Sequence, residues 1–124
     1  MLEDLDSTIQ ATVLNSSEKN VGILLKASRL CRSVAGTMSI LCKSGKDRTS
    51  MCVTLEQARY LIEDELEVYG GQEIIRVFRK HGVRRMNVWA NTGQCLYAFN
   101  SIQCQILPMC FRPPPGTFSG SVAT

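Results

Sequence analysis

Apolar side chains recur every three or four residues in two stretches of the chain, and this spacing predicts two amphipathic helices. In the first stretch, the apolar positions on one helical face are Val21, Leu24, Leu25, Cys31 and Val34. Ser16 or Ser17 is a suitable N-cap for this helix, and Gly36 ends the pattern. In the second stretch, the apolar positions are Met51, Leu55, Ala58, Ile62, Leu66 and Tyr69. Charged residues lie between them, so we expect a long surface helix that ends at Gly70-Gly71.

Two short strands are predicted upstream of the second helix. Residues 37–41 alternate polar and apolar side chains between Gly36 and the polar run that begins at Lys43, which is typical of a short buried strand. Residues 9–14 are compatible with another short strand. A strand directly before a polar loop and a helix is an arrangement that can present the loop to a ligand.

The C-terminal third gives weaker patterns. A short helix around residues 74–78 is predicted to end at His81-Gly82. Residues 97–107 fit either a helix or an extended segment. The proline-rich residues 108–116 predict an irregular or polyproline-like tail.

The composition is that of a folded domain rather than a disordered chain. The 124 residues are 44% hydrophobic and 20% charged, and the formal net charge is +3. This charge is too small to indicate nucleic-acid binding, so any anion site must be local. The acidic start lacks the features of a secretory signal, and no apolar run approaches the length of a membrane span. We therefore expect a cytoplasmic location, and reduced thiols for the six cysteines, none of which has C-x2-C spacing.

The residues that carry chemistry lie in one octet, residues 42–49, with the sequence CKSGKDRT. Cys42 and Arg48 are separated by five residues, and the loop leads into the long predicted helix. Backbone N–H groups of a tight turn at a helix N-terminus converge on one point that suits a phosphate dianion. The same field lowers the pKa of a nearby thiol and favours the nucleophilic thiolate. We therefore expect Cys42 to attack phosphorus, giving a phosphocysteine that water hydrolyses.

The other loop residues suit the same reaction. Arg48 offers a planar fork for two phosphoryl oxygens. Gly45 allows the turn, and the remaining polar side chains that can bind substrate are Lys43, Ser44, Lys46 and Thr49.

Asp47 is the candidate proton donor to the leaving oxygen. The adjacent Arg48 favours the ionised carboxylate, which argues against this role, whereas a bound phosphate dianion would favour the protonated form. The role of Asp47 therefore stays a hypothesis.

Other interpretations of these residues are weaker. A nucleotide-binding P-loop would need glycine where Ile40 stands and a hydroxyl residue where Asp47 stands. A protein tyrosine phosphatase would not need two lysines in the loop for a substrate with a single phosphate. No metal or cofactor is expected, because the cysteines have no nearby histidine and His81 is explained by its place at a helix end. For the basic residues between 76 and 85, a solvated helix face is the commoner explanation, and contact with an anionic membrane or a polyanionic substrate is the alternative.

At the octet the sequence resembles the inositol polyphosphate 4-phosphatases, whose loop reads CKS-[AG]-KDRT. The similarity extends to SMCVTLEQAR after the loop, NVGILLKASRLCR before it, and the C-terminal YAFNSIQCQILPMCFRPPPGTF. It covers about residues 20–119. The resemblance implies a metal-independent phosphatase that removes the 4-phosphate of phosphatidylinositol 3,4-bisphosphate at a membrane surface. Cys42 would be the nucleophile, Arg48 the phosphate clamp and Asp47 the general acid, while Lys43 and Lys46 would neutralise the additional charge of the ring.

The resemblance also implies an α/β, cysteine-phosphatase-like fold in which strand, phosphate loop and helix follow one another. Members of this family are longer, with a C2 domain and further phosphatase sequence upstream, so we expect an incomplete catalytic domain of mostly helical content. Residues 1–19 are an unmatched segment, 20–107 the C-terminal part of the catalytic domain, and 108–124 a Pro/Gly-rich tail. Two functions remain open: a phosphoinositide phosphatase, or a catalytically inactive module that binds phosphoinositides or another protein.

Overall fold

The computed structural model describes residues 1–15, 17, 20–62 and 70–120. It divides into two compact units, Met1–Ser39 and Ile40–Thr124. The helices are α1 (Leu2–Leu14), α2 (Gly22–Ser33), α3 (Asp47–Leu61), α4 (Gly71–His81), α5 (Val83–Thr92) and α6 (Ser101–Ile106). The strands are β1 (Tyr97–Asn100) and β2 (Phe118–Gly120), and Met109–Phe111 form a short 3-10 helix. Among the described residues, no helix is long and apolar enough to cross a membrane.

The first unit is a pair of helices. Lys26 of α2 donates a hydrogen bond to Asp4 Oδ1 of α1 at 2.6 Å and another to Thr8 Oγ1 at 2.7 Å. The predicted strand over residues 9–14 is wrong, because these residues continue α1. The apolar residues of α1 are spaced for one helical face. The acidic residues of its first turn interact favourably with the positive end of the helix dipole.

Helix α2 forms where the apolar pattern predicts it, but it begins at Gly22 rather than after Ser17. Asn20 Oδ1 accepts a hydrogen bond from the Gly22 backbone N–H at 3.0 Å, so Asn20 provides a side-chain acceptor at this end. Ser16, the other N-cap candidate, lies outside the described residues.

The second unit has its core along α3. The buried apolar side chains are Met51, Cys52, Leu55, Ala58, Ile75, Val88, Tyr97, Phe99 and Phe111. Four of them lie on α3, and three of these, Met51, Leu55 and Ala58, are at positions of the predicted four- and three-residue spacing. Helix α4 ends at His81 as predicted, whereas Leu66 and Tyr69 of the predicted long helix lie outside the described residues.

Residues 97–107 contain both of the structures that the sequence allowed. They form β1 and then α6, which begins with a capping box between Asn100 and Gln103. Strand β1 pairs in parallel with β2, with Tyr97 opposite Phe118. The proline-rich segment is irregular at residues 112–114, as predicted, but residues 109–111 form a 3-10 helix. The segment packs into the unit, because Pro113, Pro114 and Thr117 are buried.

The predicted strand over residues 37–41 is wrong. These residues form neither a helix nor a strand, and Leu41 exposes 86% of its surface. An extended segment becomes a strand only by hydrogen bonding to a neighbour. Within the described part of the chain, the sheet consists of β1 and β2 alone.

The interpretation of the basic cluster as a solvated face is wrong for Arg79. Its side chain is 2% exposed, and its guanidinium donates hydrogen bonds of 2.6–3.1 Å to Thr54 Oγ1 and to the carbonyls of Met51, Cys110 and Arg112. Burial lowers the pKa of Arg79 from its ordinary 12.5 to about 10. Arg79 therefore joins α3, α4 and the C-terminal segment as a buried cation held by backbone carbonyls.

Candidate active site at the start of α3

The octet forms a turn that opens directly into α3. The Gly45 N–H donates a hydrogen bond to the Cys42 carbonyl at 3.1 Å. Gly45 has a φ of +65°, a backbone conformation that residues other than glycine rarely adopt. Ser50, one turn into the helix, donates to the Lys46 carbonyl through its N–H at 2.8 Å and through its hydroxyl at 2.6 Å. These bonds hold the loop at the N-terminus of α3. The sequence predicts this arrangement, because the octet leads directly into the helix.

The surroundings of Cys42 lower the pKa of its thiol. Burial by itself would raise the pKa of its thiol, but hydrogen bonds from the Thr49 hydroxyl and from the N–H groups of Thr49, Ser44 and Gly45 outweigh it. Together they lower the pKa of Cys42 from 9.0 to about 6. These hydrogen bonds therefore favour the thiolate form of Cys42 near neutral pH.

Three other cysteines lie in a different environment. Burial raises the pKa of Cys52, Cys104 and Cys110. All six cysteines are unpaired. No cluster of three or more His, Cys, Asp or Glu side chains that could hold a metal occurs among the described residues.

Thr49 is a buried donor aimed at the loop. Its side chain lies in the first turn of α3 and is 6% exposed. The hydroxyl has no nitrogen or oxygen partner in the part of the chain that the structure describes, and it stabilises the Cys42 thiolate. A buried hydroxyl needs an acceptor, and the ionised sulfur of Cys42 is the acceptor available to Thr49.

The cationic side chains of the loop are available to a ligand. Lys43 and Arg48 are exposed and Lys46 is half-buried. None of the three makes a hydrogen bond or ion pair with another described residue. Their positive charges therefore lie close to Cys42 in the sequence and have no partners among the described residues.

Asp47 is the first residue of α3 and lies between the loop and the sheet. Its Oδ1 accepts a hydrogen bond from the Ala98 N–H of β1 at 2.9 Å. This contact holds β1 against the start of α3. The other carboxyl oxygen, Oδ2, makes no hydrogen bond with the described residues.

Arg84 is a functional candidate that the sequence interpretation missed. It lies on α5 and donates two hydrogen bonds to the loop region. Nη2 donates to the Gly45 carbonyl at 3.1 Å, and Nε donates to Ser50 Oγ at 3.2 Å. The arginine thus holds both the turn and the first helical turn behind it. Its place in the basic cluster between residues 76 and 85 was the available signal, but α5 itself was not predicted.

The comparisons with known proteins agree with the resemblance seen in the sequence. Type II inositol 3,4-bisphosphate 4-phosphatase of Rattus norvegicus is 40% identical over 120 residues, which is 95% of this chain and 12% of that protein. Inositol polyphosphate 4-phosphatase type II of Homo sapiens is 39% identical with the same coverage. The chain therefore spans about an eighth of the length of these relatives.

A relative with a different name is also similar. Phosphatidylinositol 3,4,5-trisphosphate-dependent Rac exchanger 2 protein of Homo sapiens is 33% identical over 100 residues, which is 80% of this chain and 6% of that protein. No solved structure matches the chain.

The sequence model described as INPP4A C-terminal domain matches residues 1–111. This match includes the first nineteen residues, which the resemblance quoted from the sequence did not reach. Because it covers most of the 124 residues, the chain belongs to the INPP4A C-terminal domain family.

Proposed function

We propose that this chain carries the catalytic loop of a phosphoinositide phosphatase that removes the 4-phosphate of phosphatidylinositol 3,4-bisphosphate. The observation that supports it best is the Cys42 thiol, whose pKa of about 6 results from four hydrogen bonds at the entrance to α3. The names of two relatives, which act on inositol phosphates with a 4-phosphate, supply the substrate class.

The reaction proceeds in two displacements. In the first, the Cys42 thiolate forms a bond to phosphorus, the bond from phosphorus to the ring oxygen breaks, and Asp47 protonates the leaving oxygen. In the second, water attacks the phosphocysteine, its proton passes to Asp47, and the sulfur leaves as thiolate with release of inorganic phosphate. Arg48 holds the equatorial phosphoryl oxygens. Ser44, Gly45 and Thr49 contribute donors at the sulfur and phosphate, and Lys43 and Lys46 neutralise the ring phosphates.

The proposal includes the architecture and the place of action. The loop and α3 would form one edge of an α/β, cysteine-phosphatase-like domain, with further strands contributed by sequence outside this chain. The protein would act in the cytoplasm at the surface of a membrane, where its lipid substrate lies. The exposed Leu41, directly before the loop, is where a neighbouring strand would pack in such a domain.

Phosphate release from soluble dioctanoyl phosphatidylinositol 3,4-bisphosphate tests the proposal. The chain should release phosphate, Cys42→Ser should abolish release, and Cys31→Ser should leave it unchanged, because Cys31 lies on α2 in the other unit. Equal release by the chain and Cys42→Ser would exclude the proposed nucleophile. An absence of release by the unsubstituted chain would exclude catalysis by these residues alone.

The second candidate is a catalytically inactive module that binds phosphoinositides. The similarity to a protein named as an exchanger favours it, as does the missing strand before the loop. It predicts binding of the same lipid that Arg48→Ala weakens and Cys42→Ser does not, with no release of phosphate. Release that depends on Cys42 would rule it out.

A further inference from the structure

A small cavity lies beside the phosphate loop, on the side that faces α5. Its volume is about 140 Å³, and its lining includes Gly45 and Lys46 of the loop and Arg84, Asn87 and Asn91 of α5. Gly45 belongs both to this lining and to the turn that places its own N–H on the Cys42 carbonyl at 3.1 Å. Gly45 therefore contributes both to the cavity and to the Cys42 turn.

The described lining of the cavity is positively charged. Lys46 and Arg84 supply two cations, and none of the described lining residues is acidic. Arg84 is half-buried, yet its hydrogen bonds go to a carbonyl and a hydroxyl, and it has no carboxylate partner among the described residues. A partly buried guanidinium without a counter-charge favours an anionic ligand. The side-chain amide of Asn87, which has no described hydrogen-bond partner, adds a neutral donor.

The size of the cavity limits what can bind. Pockets that enclose whole drug-sized ligands have volumes of about 300–1,000 Å³. A cavity of about 140 Å³ suits a single group of a larger molecule whose remainder lies outside. A phosphate group has the charge, the size and the acceptor oxygens that this lining would bind.

We propose that this cavity binds a second phosphate of the substrate ring while the scissile phosphate lies at Cys42, so that Arg84 and Asn87 set a preference for doubly phosphorylated substrates. The inference deepens the proposed function and rests on it. Arg84 has two roles here, since it also holds the Gly45 carbonyl. Asn87 makes no described contact with the loop and is the better position for a test.

The experiment compares Asn87→Asp with Gln94→Glu, each in a Cys42→Ser background that cannot turn over. Both substitutions add one negative charge without changing side-chain size, and exposed Gln94 follows α5 outside the cavity lining. Calorimetry would measure the dissociation constants of dioctanoyl phosphatidylinositol 3,4-bisphosphate, of the corresponding 4-phosphate, and of inorganic phosphate. Asn87→Asp should weaken binding of the bisphosphate about tenfold and binding of the monophosphate much less, because its carboxylate would occupy Arg84. Gln94→Glu should change neither lipid appreciably.

The outcomes separate this inference from the proposed function. A ratio of bisphosphate to monophosphate affinity that Asn87→Asp leaves unchanged overturns the second phosphate site, even if phosphate release depends on Cys42. Weaker binding of inorganic phosphate with an unchanged ratio would mean that the cavity binds a free anion, which also overturns it. A changed ratio in a chain that releases no phosphate would support the site and exclude only the catalytic proposal.

Discussion

At the scale of single residues, the environment distinguishes Cys42 from Cys52, Cys104 and Cys110, which carry the same side chain. Cys42 receives hydrogen bonds from the start of α3 and from its own loop, which stabilise its charged form. Cys110, by contrast, is partly buried, and desolvation raises the pKa of its thiol. The difference in reactivity follows from donors around the sulfur rather than from exposure alone.

This difference predicts the pH dependence of alkylation. Because the pKa of Cys42 is lowered, its rate of reaction with iodoacetamide should rise through a midpoint near pH 6 and level off above it. Cys110 should still be accelerating at pH 9, because its pKa is raised. Mass spectrometry of each cysteine after timed alkylation between pH 5 and pH 9.5 measures both rates. Matching pH profiles for Cys42 and Cys110 would contradict the proposed environment of Cys42.

The Thr49 hydroxyl should account for part of this effect. Thr49→Val keeps the shape of the buried side chain but removes the donor, so the alkylation midpoint of Cys42 should rise by about one to two pH units. The control is Thr37→Val, at an exposed threonine outside the loop, which should leave the midpoint near pH 6. An unchanged midpoint in Thr49→Val would show that the backbone N–H groups stabilise the thiolate without the hydroxyl.

At the scale of elements, Arg79 is the contact that joins α4 to α3. Its guanidinium has no carboxylate partner among the described residues, and its hydrogen bonds end on one hydroxyl and three backbone carbonyls. The bond from the Tyr97 hydroxyl to the Arg79 carbonyl, at 2.9 Å, adds β1 to the same junction. Buried and part-buried hydrogen bonds thus connect α3, α4 and β1 in addition to their apolar packing.

Removing this junction should destabilise the protein strongly. Arg79→Ala leaves several buried acceptors without donors and opens a cavity, so the free energy of unfolding should fall by about 3–5 kcal/mol. The control is Arg76→Ala, on the same helix α4, which removes only an exposed 3.4 Å ion pair with Glu73. This substitution should change the free energy of unfolding by less than about 1 kcal/mol. Urea denaturation followed by circular dichroism measures both variants. A small loss in Arg79→Ala, equal to that of Arg76→Ala, would contradict the junction.

The elements that depend on local spacing are those that the sequence predicts. The apolar pattern predicts the described part of α3, because one face of the helix meets the core at every turn. Burial of Arg79 has no such signal, since its acceptors are backbone carbonyls that any residue could supply. The prediction of a strand over residues 37–41 is wrong for a related reason. An alternating apolar pattern indicates that a segment tends to be extended, whereas a β-strand also needs a neighbouring strand for hydrogen bonding.

The candidate site divides in the same way. The octet is predictable because its residues are consecutive and the helix that follows is strongly periodic. Arg84 and Ala98 approach the loop from α5 and β1, and their contacts depend on how the second unit folds. These long-range partners become visible only when the elements are in place.

At the scale of the whole second unit, the C-terminal segment is part of the fold that carries the loop. The carbonyls of Cys110 and Arg112 accept hydrogen bonds from Arg79, and the Tyr97 N–H donates to the Thr117 carbonyl at 2.8 Å. Strand β1, held by this segment, in turn donates the Ala98 N–H to Asp47. A chain of contacts therefore runs from the proline-rich segment to the first residue of α3.

This continuity predicts that substitutions far from the octet reduce its stability. Phe111 and Met109 lie on the same 3-10 helix, but Phe111 is 6% exposed and Met109 is 69% exposed. Phe111→Ala should lower the free energy of unfolding by about 3–5 kcal/mol, and Met109→Ala should change it by less than about 0.5 kcal/mol. Phe111→Leu, which removes less buried surface, should fall between them and keep the protein folded for the next measurement.

The same variants connect the segment to the site. In increasing urea, Cys42 of Phe111→Leu should lose its low-pH alkylation at a lower concentration than Cys42 of Met109→Ala, because the donors around the thiolate disperse when the unit unfolds. The alkylation and circular-dichroism transitions of each variant should coincide. Low-pH alkylation of Cys42 that persists above the circular-dichroism transition would contradict this prediction. It would mean that the loop and the start of α3 keep their geometry without residues 108–120.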